Sequence, residues 1–324
     1  MTLPSAGSSI SLKQVNVELN LTATAAINMG GSAVRTLFDD ASGAISMSDG
    51  YGKSNALFMA ATGGTIVTEG DFKVHIFKSS GTFQIGTVGN AAGSNTVTAL
   101  IVAGGGGSNG TAYSGGYCGG GGAGGMREIT GSSLSAQGYT MTVGAAGNGF
   151  STAGNGGNGA AFGTTNTGGG GGGQYYNLSG SVGANGGSGG GGGGDHPNAG
   201  GTGVSGQGNN GGQSYAEQPG EGGGGGGGKS QVGENAPSNR GGNGGNGGTT
   251  SIINATNAGN QSVGEVSSGN VYFAGGACGM RISGQTGGLG GGGDIRTAGG
   301  TNTGGGGCSA VGGSGIVIVR YKFQ

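Results

Sequence analysis

Residues 168–228 read GGGGGGQYYNLSGSVGANGGSGGGGGGDHPNAGGTGVSGQGNNGGQSYAEQPGEGGGGGGG. Three uninterrupted glycine runs, Gly168–Gly173, Gly189–Gly194 and Gly222–Gly228, alternate with short polar segments that carry Tyr and Asn. Shorter runs flank them at Gly104–Gly107, Gly119–Gly122, Gly290–Gly293 and Gly304–Gly307. Glycine loses more backbone entropy on folding than any other residue, so 96 glycines become ordered only if backbone hydrogen bonding compensates. A glycine run has no side chain to bury, but it can adopt the polyproline-II conformation, with three residues per turn and a rise of about 3.1 Å. With no Cβ in the way, neighbouring backbones approach closely enough to exchange lateral N–H···O=C bonds. Six residues then make a rod of about 19 Å, and several rods make a bundle with loops at its ends. The expected fold class is mainly β with polyglycine-II: a small β-sandwich framework carrying a large glycine-rich polyglycine-II helix bundle, plus a short N-terminal helical module.

Composition by itself points to disordered low-complexity chain, since 96 glycines and 4 prolines in 324 residues follow no strict period. The interruptions oppose that, being varied rather than Ser-Gly linker repeats. Collagen is excluded by the missing Gly-X-Y period and the few prolines. With 12 basic and 13 acidic residues, a net charge of −1 and no Lys/Arg cluster, neither nucleic-acid binding nor anchoring to an acidic membrane has support. No apolar stretch of membrane-spanning length occurs, and Met1-Thr2-Leu3-Pro4-Ser5 lacks the features of a signal peptide, so the chain is expected to fold where it is made. Cys118, Cys278 and Cys308 each sit in or beside a glycine cluster, without zinc spacing. They read as small buried hydrophobes, with a bridge from Cys118 or Cys278 to Cys308 left open.

Residues 1–58 read as a separate helical module. Ile10-Ser11-Leu12, Ile27-Asn28-Met29 and Ile45-Ser46-Met47 recur at similar spacing, each with a capping residue after Ile. Ser11 and Gln14 form a capping-box pattern, with Ile10 and Val15 placed as a hydrophobic staple. Leu12, Val15 and Leu19 make one apolar stripe, and Val34, Leu37 and Phe38 a second. Helices this short are marginal alone, so the module is expected to dock on something through these residues.

From Thr65 the period changes to two. Phe72, Val74 and Ile76 followed by Phe83 and Ile85 give a strand–turn–strand reading, and Thr96–Val102 and Tyr139–Val143 give further strands. Ile316–Phe323 is apolar enough for a central strand covered on both faces. Strands thus lead into and out of the glycine region. The expected division is a docking module at 1–58, a sandwich framework at 59–103, 126–146 and 315–324, and a glycine bundle at 104–125 and 147–314.

Gly223–Gly228 followed by Lys229 and Ser230 matches the phosphate-binding loop formally, but neither a strand before it nor a helix after it is present, so it reads as a chance hit. His75 and His196 are isolated, and the acids Asp195, Glu217, Glu221, Glu234, Glu265 and Asp294 are scattered singly, which gives no catalytic or metal-binding constellation. No cofactor, metal or enzymatic activity is expected. The aromatics say more: Tyr113, Tyr117, Tyr175, Tyr176, Tyr215, Tyr272 and Phe273 fall in or beside the interrupting segments. Rigid Tyr among Ser, Gly and Asn is a paratope-like composition. The alternative is that these rings cap the bundle and keep water off its backbone.

Two parts of the chain resemble known families. Gly81-Thr82-Phe83, Thr98-Ala99-Leu100-Ile101-Val102-Ala103-Gly104, Gly125-Met126-Arg127-Glu128, Tyr139-Thr140-Met141-Thr142-Val143-Gly144 and Gly313-Ser314-Gly315-Ile316-Val317-Ile318-Val319-Arg320-Tyr321 look like the glycine-rich domain common in bacteriophage tail proteins. Pro4-Ser5-Ala6-Gly7, Ile10-Ser11-Leu12, Ala33-Val34-Arg35-Thr36-Leu37 and Ile45-Ser46-Met47-Ser48-Asp49 with Tyr51-Gly52-Lys53 resemble the N-terminal segment of many phage tail and virion proteins. The interior is similar in kind to the distal tail-fibre adhesin of T-even phages, a polyglycine-II bundle presenting loops to a bacterial receptor. The resemblance implies a non-enzymatic virion protein of the phage tail, assembled in the host cytoplasm. It implies partners among other tail proteins and a bacterial surface receptor, a glycan or an outer-membrane protein, with a homo-oligomer such as a trimer left open. Tyr113, Tyr117, Tyr175, Tyr176 and Tyr215 are the expected receptor contacts. The runner-up is a tail spacer or decoration protein that binds nothing specific; ice binding and depolymerase activity are not expected.

Overall fold

The computed structural model describes residues 2–90, 93–109, 116–131, 134–149, 153–175, 181–194, 196–215, 217, 221–281 and 284–324. Near the N-terminus, α1 (Leu12–Glu18) begins at Ser11, whose hydroxyl accepts from the Gln14 N–H while the Gln14 side chain accepts from the Ser11 N–H, the expected capping box. α2 (Ser32–Phe38) ends on Asp39 in the left-handed region, and a short 3-10 helix covers Met47–Gly50. Their apolar faces meet one another: Leu3, Val15, Val34, Leu37 and Phe38 form a buried cluster with Leu19 packed against it. Of the residues expected to dock, Val15, Val34, Leu37 and Phe38 are buried in this cluster and Leu19 is half-covered. Of that set only Leu12, at 52% exposure, faces outward.

The rest of the chain is mainly β. β1 (Ala60–Thr62), β2 (Thr65–Glu69), β3 (Phe72–Phe77), β4 (Gly81–Thr87), β5 (Val97–Val102), β6 (Met126–Gly131) and β7 (Gly138–Met141) precede the long glycine region. β8 (Gly159–Ala161) and β9 (Thr164–Asn166) form a small hairpin within it. β10 (Gly248–Thr250), α3 (Ala255–Gln261), β11 (Glu265–Ser267) and β12 (Asn270–Phe273) interrupt it, and β13 (Ile316–Lys322) closes the chain. The main sheet has the order β2-β3-β13-β5-β6, all antiparallel, with β13 at its centre as its apolar run requires. Period-two alternation sends Val317, Val319 and Tyr321 to one face, against Phe83, Ile85 and Met141 of the sheet β1-β4-β7. Ile316 and Ile318 face the other way, onto Ile252, Ile253, Ala258, Val263, Val271 and Phe273.

Two features depart from the sequence reading. β3 and β4 follow one another across a short turn yet lie in different sheets, β3 between β2 and β13, β4 between β1 and β7. Residues 248–273, assigned above to the glycine bundle, supply the second cover of the main sheet. Their small sheet β10-β12-β11 and α3 bury apolar residues that short, weakly periodic strands did not announce.

The glycine segments pair laterally in a fixed rotation. From the segment 118–125, the N–H groups of Gly119, Gly122 and Gly125 donate to the carbonyls of Gly173, Gly170 and Thr167. Those of Gly120 and Ala123 donate to Gly224 and Gly227, and those of Gly121 and Gly124 to Gly307 and Gly304. Successive residues thus address three neighbours in turn and return to the first after three residues. The carbonyls do likewise: Gly122 and Gly125 accept from Gly106 and Ala103, Gly120 and Ala123 from Gly191 and Ser188, Cys118 and Gly121 from Met280 and Ala277. Six segments therefore surround 118–125, and every N–H from Gly119 to Gly125 donates to a backbone carbonyl of a neighbouring segment. A Cβ at Gly121 would overlap the carbonyl oxygen of Gly106, and one at Gly119 that of Gly191, so this spacing admits only glycine there.

Candidate binding tip of the glycine lattice

The register of these pairings decides which side chains meet at the end of the lattice. The segment 167–173 runs antiparallel to 118–125, Gly119 opposite Gly173. Continued two residues outward, the same register places Tyr117 opposite Tyr175. Their ring centroids lie 5.4 Å apart at an interplanar angle of 87°, an edge-to-face pair. The run Gly222–Gly228 lies parallel to the central segment, Gly120 donating to Gly224, which brings Glu221 level with Tyr117. The Tyr175 hydroxyl donates to Glu221 Oε2 at 3.1 Å.

Tyr215 joins the same end through a two-way backbone bridge with Gly222, at 2.9 Å in each direction. Its hydroxyl donates to Glu217 Oε2 at 2.9 Å. That hydrogen bond to the carboxylate, with desolvation second, holds the Tyr215 phenol above its ordinary pKa. Behind it, the Ser214 hydroxyl donates to the His196 carbonyl at 2.6 Å and accepts from the Asn198 N–H at 2.9 Å, tying the turn after Gly189–Gly194 to this end. Gly194 N–H donates to the Tyr117 carbonyl at 2.6 Å.

Of the sequence-predicted contacts, Tyr117, Tyr175 and Tyr215 are thus brought to one end of the lattice, each half-buried. Tyr113 and Tyr176 lie outside the described residues. Tyr272 and Phe273 belong elsewhere, on β12, where Phe273 is buried in the core. Glu217 and Glu221, read from sequence as isolated acids, are the residues that reading missed. The available signal was that Glu221 abuts the longest glycine run and so shares its register. The tip offers flat aromatic faces beside phenol–carboxylate pairs, a combination suited to stacking and to accepting hydrogen bonds from hydroxyl or amine groups.

A second missed signal is Asn-Gly-Gly-Asn. In 155–158 and 243–246 the asparagines stand three residues apart, one turn of the segment. Asn243 and Asn246 accept from the N–H groups of Thr286 and Leu289, and Asn155 and Asn158 from those of Gly171 and Gly168. The amide side chain stands in for a neighbouring backbone at the lattice edge. The phosphate-loop match meets a different fate: the N–H groups of Gly223–Gly228 all donate to protein carbonyls, and Lys229 Nζ donates to the Gly206 carbonyl at 2.7 Å. Among the described residues no group of His, Cys, Asp and Glu could hold a metal ion, and no helix is long and apolar enough to cross a membrane.

Sheets feeding a hydrogen-bonded glycine lattice define a glycine-rich domain protein. The family model described as a glycine-rich domain matches residues 78–322, and the chain belongs to that family. No curated protein matches it.

Proposed function

We propose that this chain is a non-enzymatic phage tail protein acting as a receptor-binding adhesin, with the glycine segments forming a polyglycine-II bundle on a β-sandwich framework and the N-terminal helices serving as a docking module. The observation that carries the reading is the convergence of Tyr117, Tyr175 and Tyr215 at one end of a lattice whose three-residue rotation of hydrogen bonds suits polyglycine-II geometry. A lattice with its backbone groups paired holds loop ends rigidly, so few degrees of freedom are lost when the tip meets a ligand. Tyr supplies contact area at low entropic cost, and the low overall charge favours short-range stacking and hydrogen bonding over steering. Docking would use the outward apolar residues Leu12, Val17 and Leu21 rather than the module's own core.

The test is binding of the labelled full chain to intact cells from a panel of bacteria. The reading expects saturable binding to some strains and loss of most of it in a Tyr117→Ala, Tyr175→Ala, Tyr215→Ala variant with unchanged circular dichroism. Binding that survives the triple substitution would remove the tip from the adhesin role, and a folded chain that binds no strain would leave the spacer role.

A further inference from the structure

The lattice brings the three cysteines together from distant positions. Cys118, Cys278 and Cys308 are all buried, in a cluster with Ala277 and Met280. Gly306 N–H donates to the Gly275 carbonyl at 2.9 Å, which sets the segments 274–281 and 303–309 side by side. A few residues along from that bond, Cys278 Sγ and Cys308 Sγ lie 2.7 Å apart. Cys118 is engaged differently, its Sγ 3.0 Å from Ser309 Oγ and 3.4 Å from Ser108 Oγ. The sulfurs of Cys278 and Cys308 therefore face one another, while Cys118 faces hydroxyls.

We propose that Cys278 and Cys308 are a cross-linking site, at which the chain closes an internal disulfide between two of its glycine segments. The oxidant is a low-molecular-weight disulfide such as oxidised glutathione. A thiolate of the pair attacks it and expels one glutathione thiolate. The second cysteine thiolate then attacks the protein sulfur of the mixed disulfide and expels the other. Two protein S–H bonds are lost and one protein S–S bond forms; the oxidant's S–S bond breaks, and its two expelled thiolates take up the two protons and leave as reduced thiols.

Burial fixes when this happens. The hydrogen bond with Cys278, followed by desolvation, pushes the Cys308 thiol well above its ordinary range, and desolvation pushes Cys118 up to about 11. Thiolate is scarce inside the closed lattice, and both sulfurs are buried. Closure belongs to folding, before the segments enclose the pair, and the same enclosure then shields the bond from reductant. The oxidised and reduced folded forms do not interconvert on the timescale of folding.

The experiment is cell-free synthesis of the full chain with either oxidised glutathione or dithiothreitol. The soluble fraction is then alkylated in denaturant and read by intact mass and peptide mapping. Of the three cysteines, three alkylate in the reduced sample. One, Cys118, alkylates in the oxidised sample, with Cys278 and Cys308 recovered as a linked peptide. Cys118→Ala keeps the link, whereas Cys278→Ser leaves two alkylating thiols under both conditions. Dithiothreitol added to the folded oxidised protein leaves the link intact until denaturant is added. Three free thiols after synthesis with oxidant, or a link through Cys118, would overturn the assignment, and rapid reduction of the folded form would overturn its enclosure.

Discussion

Gly121→Ala tests the lattice directly. Gly121 sits in the central segment at an ordinary negative φ, so an alanine meets no backbone penalty of its own; the cost is one of space. Its Cβ would overlap the carbonyl oxygen of Gly106, with the Gly307 nitrogen 3.0 Å away on the same side. Both obstacles are backbone and cannot turn aside. Relief requires segment 103–108 to move outward, which stretches the bond from Gly106 N–H to Gly122 and the bond from Gly307 N–H to Gly106, each 2.9 Å. Overpacking of a tight interior costs about 1–3 kcal/mol. Each weakened bond adds about 1 kcal/mol, and the reduced entropy of the unfolded chain returns about 0.4–1 kcal/mol. The net expectation is a loss of about 3 kcal/mol, measured by equilibrium urea unfolding. Gly259→Ala supplies the opposite sign from the same chemical change. Gly259 is exposed within α3, a Cβ there meets nothing within 4 Å, and helix propensity gives a gain of about 0.5–1 kcal/mol. A Gly121→Ala chain that unfolds at the wild-type midpoint would refute close contact at the centre of the lattice.

Two further outcomes follow from single side chains. His75 is buried with Nδ1 2.7 Å from the Gly63 carbonyl and Nε2 without a partner, and desolvation lowers its pKa. The unfolded chain then binds the proton first, so the stability His75 contributes is complete above pH about 6.5 and falls as pH drops below it. Urea midpoints should decrease between about pH 7.5 and pH 5 in the wild type, and a His75→Phe variant should show a shallower slope; equal slopes would clear His75. Asn243→Ala removes the acceptor of the Thr286 N–H, at a cost of about 1 kcal/mol, with faster amide exchange at Thr286. Unchanged exchange there would show that the asparagine does not seal the lattice edge.

The sequence by itself determined the local pieces. The capping box at Ser11 and Gln14 follows from residue type and spacing. The central place of β13 follows from an apolar run that needs cover on both faces, and lateral pairing of the glycine runs follows from the absence of anything else to compensate their entropy. It also placed tyrosines where runs end. Only the tertiary structure decided which run is central, that Tyr117 meets Tyr175, that Glu221 stands level with both, and that Cys278 meets Cys308. The reason is physical: a glycine run carries no side chains to distinguish one register from the next, so flanking sheets and loops set the register. The same holds for the two cores. The alternation on β3 and β4 marks each as a strand with a buried face, but Phe77 and Phe83 share one core from two different sheets only because the chain changes sheet at the turn between them.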